Sequence, residues 1–240
     1  MGVVGSEFVV IGAVRSAGLR EAADFLDDAG GWRERVFRVD EHVSCVACGV
    51  VPDAKQLLRA LQRLASDHRR TWGTRIPVGV VAARLGDLAH GATLRTGNRP
   101  FGAAFILAGY DDDAQRFRLF VTDPAGFADE FDTSALLGRV PTEVRKEALS
   151  DGPPTHLRDA SRQVTKLLVH SLRTDAKNEA PQIRPLDLEF ACLFLRPDGS
   201  VASDILNTTS IADLLKEHND TETNITTAAS DDAEALSPPR

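Results

Sequence analysis

The sequence predicts an α+β fold in which helices are grouped on the faces of β-sheet. Strand-like and helix-like segments come in blocks (strands, two helices, strands, two helices, strands, one helix), not in the β-α-β alternation of a parallel sheet. The hydrophobic period changes abruptly after Asp53, where Leu57, Leu58, Leu61 and Leu64 recur at helical spacing. The 240 residues are 42% hydrophobic and 26% charged, which supplies enough apolar side chain for a sizeable core and argues against wholesale disorder. Length alone allows one domain or two.

Residues 3–14 are rich in β-branched side chains and carry Gly5-Ser6-Glu7, so they read as a strand pair or one bulged strand. The polar, glycine-punctuated stretch 16–34 reads as a loop. Two short strands follow at 36–40 and 43–50, turning at Asp40-Glu41. A helix then starts with Asp53 as its N-cap behind Pro52 and stops near Trp72-Gly73. A second runs from Pro77 through Val80, Val81, Leu85, Leu88 and Leu94 to Gly97 and Pro100. Strands are predicted at 102–110, 116–121, 127–131 and 134–137. Between the second and third, Asp123-Pro124-Ala125-Gly126 has the residues of a type I turn. Helices at 142–149 and 157–173 precede strands at 186–195 and 201–206, joined through Pro197-Asp198-Gly199. Thr209 is the expected cap of a last helix, 211–218. Residues 219–240 hold five acidic side chains against one basic and are expected to form a disordered acidic tail. Ser230, followed by Asp231, Asp232 and Glu234, is a candidate phosphosite within it, against the alternative of a plain solvated tail.

Composition excludes several functions. A formal net charge of −7, from 35 acidic and 28 basic residues, provides no field to draw the chain onto nucleic acid or anionic lipid. The apolar run 101–110 is too short to span a bilayer. Residues 1–14 lack a basic n-region and carry Glu7, so no signal peptide is expected and the chain reads as intracellular. Cys45 and Cys48 form a C-x-x-C, but on a strand they point to opposite faces, and with Cys192 they read as small buried side chains. The six histidines are scattered without metal-ligand spacing, so neither a metal nor a cofactor is expected.

Several segments fall into a familiar order. The run from Arg99, Pro100, Phe101 and Gly102 to Ala108-Gly109-Tyr110-Asp111 resembles the R-P-[FY]-G-x-x-x-x-x-A-G-[YFW]-D signature of proteasome alpha-type subunits. Residues 37–43 are similar to the family's I-x-x-I-D-D-H-[IV] strand turn, 48–54 to S-G-L-x-x-D-A, 122–126 to T-D-P-[SA]-G, and 135–138 to A-x-A-I-G. Together they cover roughly residues 3–218, the expected domain, with 219–240 as its tail. Ile76-Pro77, His90, Thr93-Leu94 and the acidic tail are most similar to the alpha type-three subunit.

The resemblance implies the four-layer αββα sandwich of the Ntn-hydrolase superfamily. It also implies a place in the seven-membered alpha ring of the 20S core, beside other alpha subunits and above the beta ring, in the cytoplasm and nucleus. The role implied is non-catalytic: ring assembly, substrate gating and activator docking in ubiquitin-dependent degradation. Catalytic relatives use a Thr, Ser or Cys at a processed N-terminus, whereas this chain reads Met1-Gly2-Val3-Val4. In alpha rings, pockets between neighbours take the C-terminal tails of regulatory-particle ATPases. Arg35 stands at the position of the basic residue that pairs with the tail carboxylate, and Gly49 lines the same pocket. Arg99, Pro100, Phe101, Gly102, Asp123, Pro124 and Gly126 are implied to be structural.

The family's opening Tyr-Asp and Gly-Arg-[LIV]-x-Q-V-E-Y-A segments are not found, so a domain truncated at its N-terminus, without its own gate segment, is expected. Residues 1–6 also match the myristoylation pattern M-G-x-x-x-[ST]. Two other functions stay open at this stage: a free-standing α+β binding protein that has drifted from the family, and an Ntn-hydrolase whose nucleophile lies on a missing N-terminal segment.

Overall fold

The apolar run that opens the chain folds back on itself. β1 (Gly2–Val4) and β2 (Phe8–Val14) pair antiparallel, with Val4 opposite Val9 and residues 5–7 at the turn. The structure, a computed structural model, describes residues 1–15, 34–97, 99–150, 152–175 and 183–220. The loop expected at 16–34 and the tail beyond 220 therefore lie almost wholly outside the described residues.

Eight further strands complete two antiparallel sheets: β3 (Val36–Asp40), β4 (Val43–Gly49), β5 (Ala103–Asp111), β6 (Arg116–Thr122), β7 (Ala128–Phe131), β8 (Ser134–Ala135), β9 (Leu188–Leu195) and β10 (Val201–Ile205). One sheet has the order β10-β9-β2-β1-β8 and the other β3-β4-β5-β6-β7. Because side chains alternate along a strand, β2 sends Val9, Ile11 and Ala13 inward against Val46, Ile106 and Leu119 of the facing sheet. Its other face sends Phe8 and Val10 to a separate helical core.

Helices cover both outer faces. α1 (Val51–Trp72) and α2 (Val78–Leu94) pack on the β3–β7 sheet through Leu57, Leu61, Val81 and Leu85. α3 (Thr142–Ser150), α4 (Leu157–Asp175) and α5, spanning 208–220, cover the other sheet through Val144, Val164, Leu168, Ile211 and Leu215. Glu147 on α3 clasps α4 by accepting from Lys166 (2.6 Å) and His170 (2.7 Å). The layers are helix, sheet, sheet, helix, the αββα sandwich that the resemblance implies.

Helix ends follow local chemistry, with two corrections to the sequence reading. α1 stops where expected: Gly73 adopts φ 70°, and its N–H reaches the Arg69 carbonyl at 2.9 Å. Its start differs, because Val50 is the N-cap and Asp53 lies inside the first turn. The Asp53 carboxylate faces away from the helix, taking Arg99 Nη1 (2.6 Å), Arg99 Nη2 (2.7 Å) and the Gly102 N–H (2.8 Å). Those hydrogen bonds, Arg99 first, hold its carboxyl below the usual range despite burial. Thr209 does not cap α5 either. Asn207 does, its Oδ1 accepting the Ser210 N–H at 2.9 Å and the Thr209 hydroxyl at 2.7 Å. α5 is also longer than predicted at both ends and passes the expected domain boundary by two residues.

The 123–126 turn forms as its residues require. Gly126 N–H reaches the Asp123 carbonyl at 3.2 Å, Asp123 Oδ1 accepts from Ala125 and Phe127, and Gly126 takes φ 100°. A Cβ on Gly86 of α2 would lie 2.5 Å from the Gly126 carbonyl, so helix and turn meet backbone to backbone.

Two buried polar groups cross between elements. Glu189 of β9 is 5% exposed and reaches the facing sheet, accepting from Arg35 N–H (2.7 Å), Val36 N–H (2.8 Å) and Arg15 Nε (2.5 Å). Removing that carboxylate strands two backbone donors and a guanidinium. Glu189→Ala is therefore expected to lower unfolding free energy by about 2–4 kcal/mol, with Glu189→Gln in between, read by urea denaturation. His42, at the β3–β4 turn, donates from Nε2 to the Ile76 carbonyl at 2.7 Å, fixing the tautomer, and its Nδ1 lies 3.5 Å from Asp40 Oδ2.

Burial pulls the His42 ring below the ordinary histidine value, against the opposing pulls of the Ile76 carbonyl and Asp40. The unfolded ring therefore takes up a proton first. Its contribution to stability is complete above about pH 6.5 and falls as pH drops towards the folded value, by at most about 1.4 kcal/mol per pH unit. His42→Gln keeps an N–H for Ile76 and should show a flatter stability curve between about pH 8 and pH 5 than the parent chain.

Candidate functional site

Strand register gathers four segments at one end of the sandwich. β4 finishes at Gly49, opposite Ala103 at the start of β5, and β6 finishes at Thr122, opposite Phe105. Arg35 leads into β3, its carbonyl taking the Ala47 N–H at 2.8 Å. Arg35, Gly49, Gly102 and the 123–126 turn, distant in sequence, thus share that end.

Arg35 and Gly49 are in direct contact. Arg35 is half-buried, its N–H held by Glu189 and its Nη1 donating to the Gly49 carbonyl at 3.0 Å. Gly49 has φ 107°, and a Cβ there would lie 2.2 Å from the Gly102 carbonyl oxygen. No other residue fits that position. The same Gly102 oxygen takes the Val50 N–H at 2.8 Å. A continuous chain of contacts therefore runs from Arg35 through Gly49, Gly102 and Asp53 to Arg99.

Both residues line a cavity of about 230 Å³. Its walls are the ends of β2 and β4, the segment 137–140 and one face of α4. Leu137, Val140 and Leu172 make much of it apolar, and the guanidinium groups of Arg35 and Arg139 supply its charge. Among the described residues no aspartate or glutamate lines it. Met1 on the same wall donates from its backbone nitrogen to the Gly12 carbonyl at 2.6 Å.

The remaining predicted residues stand around this cavity, not in it. Arg99 and Gly102 anchor α1 through Asp53, Pro100 presents its carbonyl to Arg99 Nη1 at 3.0 Å, and Phe101 packs on the α1–α2 core. Asp123, Pro124 and Gly126 form the turn against α2. The two strand cysteines diverge as expected. Cys45 is buried under the helices, where desolvation pushes its thiol up to about 12. Cys48 faces the cavity and is half-exposed, unlike the buried side chain predicted. Glu189 went unrecognised in the sequence, although a lone carboxylate inside Leu-Glu-Phe-Ala-Cys-Leu-Phe-Leu is itself a signal of a paired buried charge.

Larger hollows of about 350–400 Å³ lie elsewhere on the surface, and they gather ion pairs such as Arg75–Asp112 and Arg162–Glu217. Among the described residues no cluster of three metal-ligating side chains forms, and no helix is long and apolar enough to cross a membrane.

Comparison with known proteins places this architecture. The sequence model of the proteasome subunit family matches residues 1–179. Proteasome subunit alpha of Methanopyrus kandleri is 33% identical over 147 residues, 61% of this chain and 57% of that protein. Proteasome subunit alpha of Pyrococcus abyssi is 36% identical over 93 residues, 39% and 35% of the two chains. Proteasome subunit alpha type-3 of Saccharomyces cerevisiae is 29% identical over 126 residues, 52% and 46%. The alignments thus span from about a third to somewhat over half of the length of these relatives. With its two stacked sheets, two helical layers and a family match across residues 1–179, the chain belongs to the proteasome subunit family, as an alpha-type member.

Proposed function

We propose that the chain is a non-catalytic member of the alpha ring of the 20S proteasome core. It packs between other alpha subunits above a beta ring and contributes to ring assembly, to substrate gating and to docking of regulatory-particle ATPase tails. The process is ubiquitin-dependent protein degradation in the cytoplasm and nucleus.

The observation that carries this reading is the Arg35–Gly49 contact on an open, partly apolar cavity. Glu189 fixes the backbone of Arg35, and the Gly49 carbonyl orients its guanidinium towards the end of the sandwich. A pre-oriented guanidinium suits a terminal carboxylate, which it can meet with two parallel hydrogen bonds.

Affinity purification of the tagged endogenous protein under gentle conditions, followed by intact-complex mass spectrometry, is the primary test. The expected outcome is an assembly with sibling subunits, far above the 25.9 kDa of the lone chain. A monomer or small homo-oligomer would refute the ring assignment and favour a free-standing binding protein. Within the assembled particle, Arg35→Ala should weaken capture of an ATPase tail peptide by this chain about tenfold, the loss of one charge-assisted hydrogen-bond pair. Arg35→Lys should retain part of that affinity, since it keeps the charge and loses the fork.

A further inference from the structure

We infer that the hollow at the end of α1 is a seat for a cationic side chain of a partner protein: an arginine or lysine that lies on the exposed ring of Trp72 and pairs with the carboxylate of Asp113. The inference stands apart from the ring reading above. It concerns the other end of the sandwich from the Arg35–Gly49 cavity and needs no activator tail.

Local structure brings the two groups together. α1 ends at Trp72, and Gly73, in the left-handed conformation, turns the chain away at once. Trp72 is left 71% exposed, matched among the large apolar side chains only by Leu94. His68, one turn earlier, flanks it with ring centroids 6.4 Å apart and planes tilted by 37°. Asp113 sits in the turn between β5 and β6. There Asp111 Oδ1 accepts the N–H of Asp113 at 3.1 Å and that of Ala114 at 3.3 Å. Arg75 binds the neighbouring Asp112 through Nε at 2.7 Å and also through Nη2. The turn is thereby tied to the linker 73–77, and Trp72, Thr74, Pro77 and Asp113 come to line one open space of about 370 Å³.

Charge decides the ligand. Arg69 at the helix end is paired with Asp40 and Glu41, Arg70 with Asp67, and Arg75 with Asp112. Asp113 makes no ion pair among the described residues, so its charge is the one left over in this hollow. Carboxylates without an ion pair occur elsewhere on the described surface, Asp213 among them. What distinguishes Asp113 is that it shares its hollow with an exposed indole, the ring that attracts cations most strongly. The carbonyl end of a 22-residue helix adds to the negative potential. Among the described residues the guanidinium–ring stack is Arg118 over Phe120, 4.7 Å from the centroid, which leaves the Trp72 ring without a cation of this chain. Exposure decides the source. A free small cation would be held by one ring and one carboxylate at an open surface, whereas small-molecule sites enclose most of their ligand. A side chain carried on a protein surface adds the contacts around it, and tryptophan is enriched among the residues that anchor such interfaces.

Trp72 is one of two tryptophans in the chain. In the full chain carrying Trp32→Phe, its fluorescence therefore reports this hollow directly. The probes are the Nα-acetyl methylamides of arginine, of lysine and of citrulline, the last a neutral isostere of the first. Both cations are expected to give a saturable change in Trp72 emission, with midpoints about five- to tenfold below that of citrulline. Asp113→Asn should raise the cationic midpoints about threefold, while Asp213→Asn, which removes the same charge elsewhere, should leave them unchanged. Both positions are exposed, so the variants should fold like the parent, checked by thermal denaturation. Equal midpoints for arginine and citrulline would overturn the site. Equal effects of the two aspartate variants would reveal only a general attraction to an acidic chain, and would overturn it too. Hydroxyl-radical oxidation of Trp72 tests the partner, and it should be about tenfold slower in the purified endogenous assembly than in the lone chain. Unchanged oxidation beside intact cation binding would overturn the partner and leave a free organic cation as the ligand. Should the chain purify without siblings, the ring reading falls, while the probe midpoints still decide the cation site.

Discussion

The inner faces of the two sheets pack on each other through Val9, Ile11, Val46, Ile106, Leu119 and Leu193, all at 4% exposure or less. Helices cover the outer faces, so the central strands have no solvent side. At about 25 cal/mol per Å² of apolar surface removed from water, a layer buried from both directions is the main source of stability here. It also sets a rule for the remainder of the chain. A polar side chain on β2, β5 or β9 must bring its partner with it, and function must sit where the strands end.

Glu189 meets that rule in an unusual place. It stands at the beginning of β9, just where the double layer opens, and spends its carboxylate on two backbone N–H groups of the opposite sheet and on Arg15. Apolar packing between sheets is tolerant of small slides. Three hydrogen bonds of 2.5–2.8 Å to one carboxylate are not. Glu189 therefore fixes the start of β3 against β9, and Arg35, the first residue it holds, inherits a defined position. The Asp53–Arg99–Gly102 cluster does the same for the start of α1 on the other side of Gly49. Gly49 is held between two carboxylate-centred anchors.

Much of this was legible in the residues. Block order and period placed the strands and helices of the described residues to within a few residues, with 3–14 left as a strand pair or one bulged strand, because strands buried on one or both faces and amphipathic helices follow the simplest rules of patterning. The glycine and proline punctuation located Gly73 and the 123–126 turn for equally local reasons. Most of the failures involve contacts between distant segments. Asp53 looks like an N-cap when only its own neighbours are considered, and its true partner is 46 residues away. Asn207 and Thr209 are both good caps, and the sequence cannot rank them without the path of the chain. Glu189 is read correctly only when Arg35 and Val36, more than 150 residues earlier, are brought beside it. The shared location of Arg35 and Gly49 came from the family likeness, but their hydrogen bond is a consequence of the β3–β4 register, with Val36 opposite Val46.

The cavity's charge runs against that of the whole chain. A formal charge of −7 supplies an excess of carboxylates, and across the described surface they are drawn to arginines in pair after pair. The cavity at the ends of β2 and β4 is lined by Arg35 and Arg139 and, among the described residues, by no acid. Packing does not require it, since Arg139 is exposed and could point to any neighbouring acid without disturbing the core. Fold stability does not require it either, because uncompensated like charges are unfavourable at short range. The local field at this end of the sandwich is therefore opposite in sign to that of the chain as a whole.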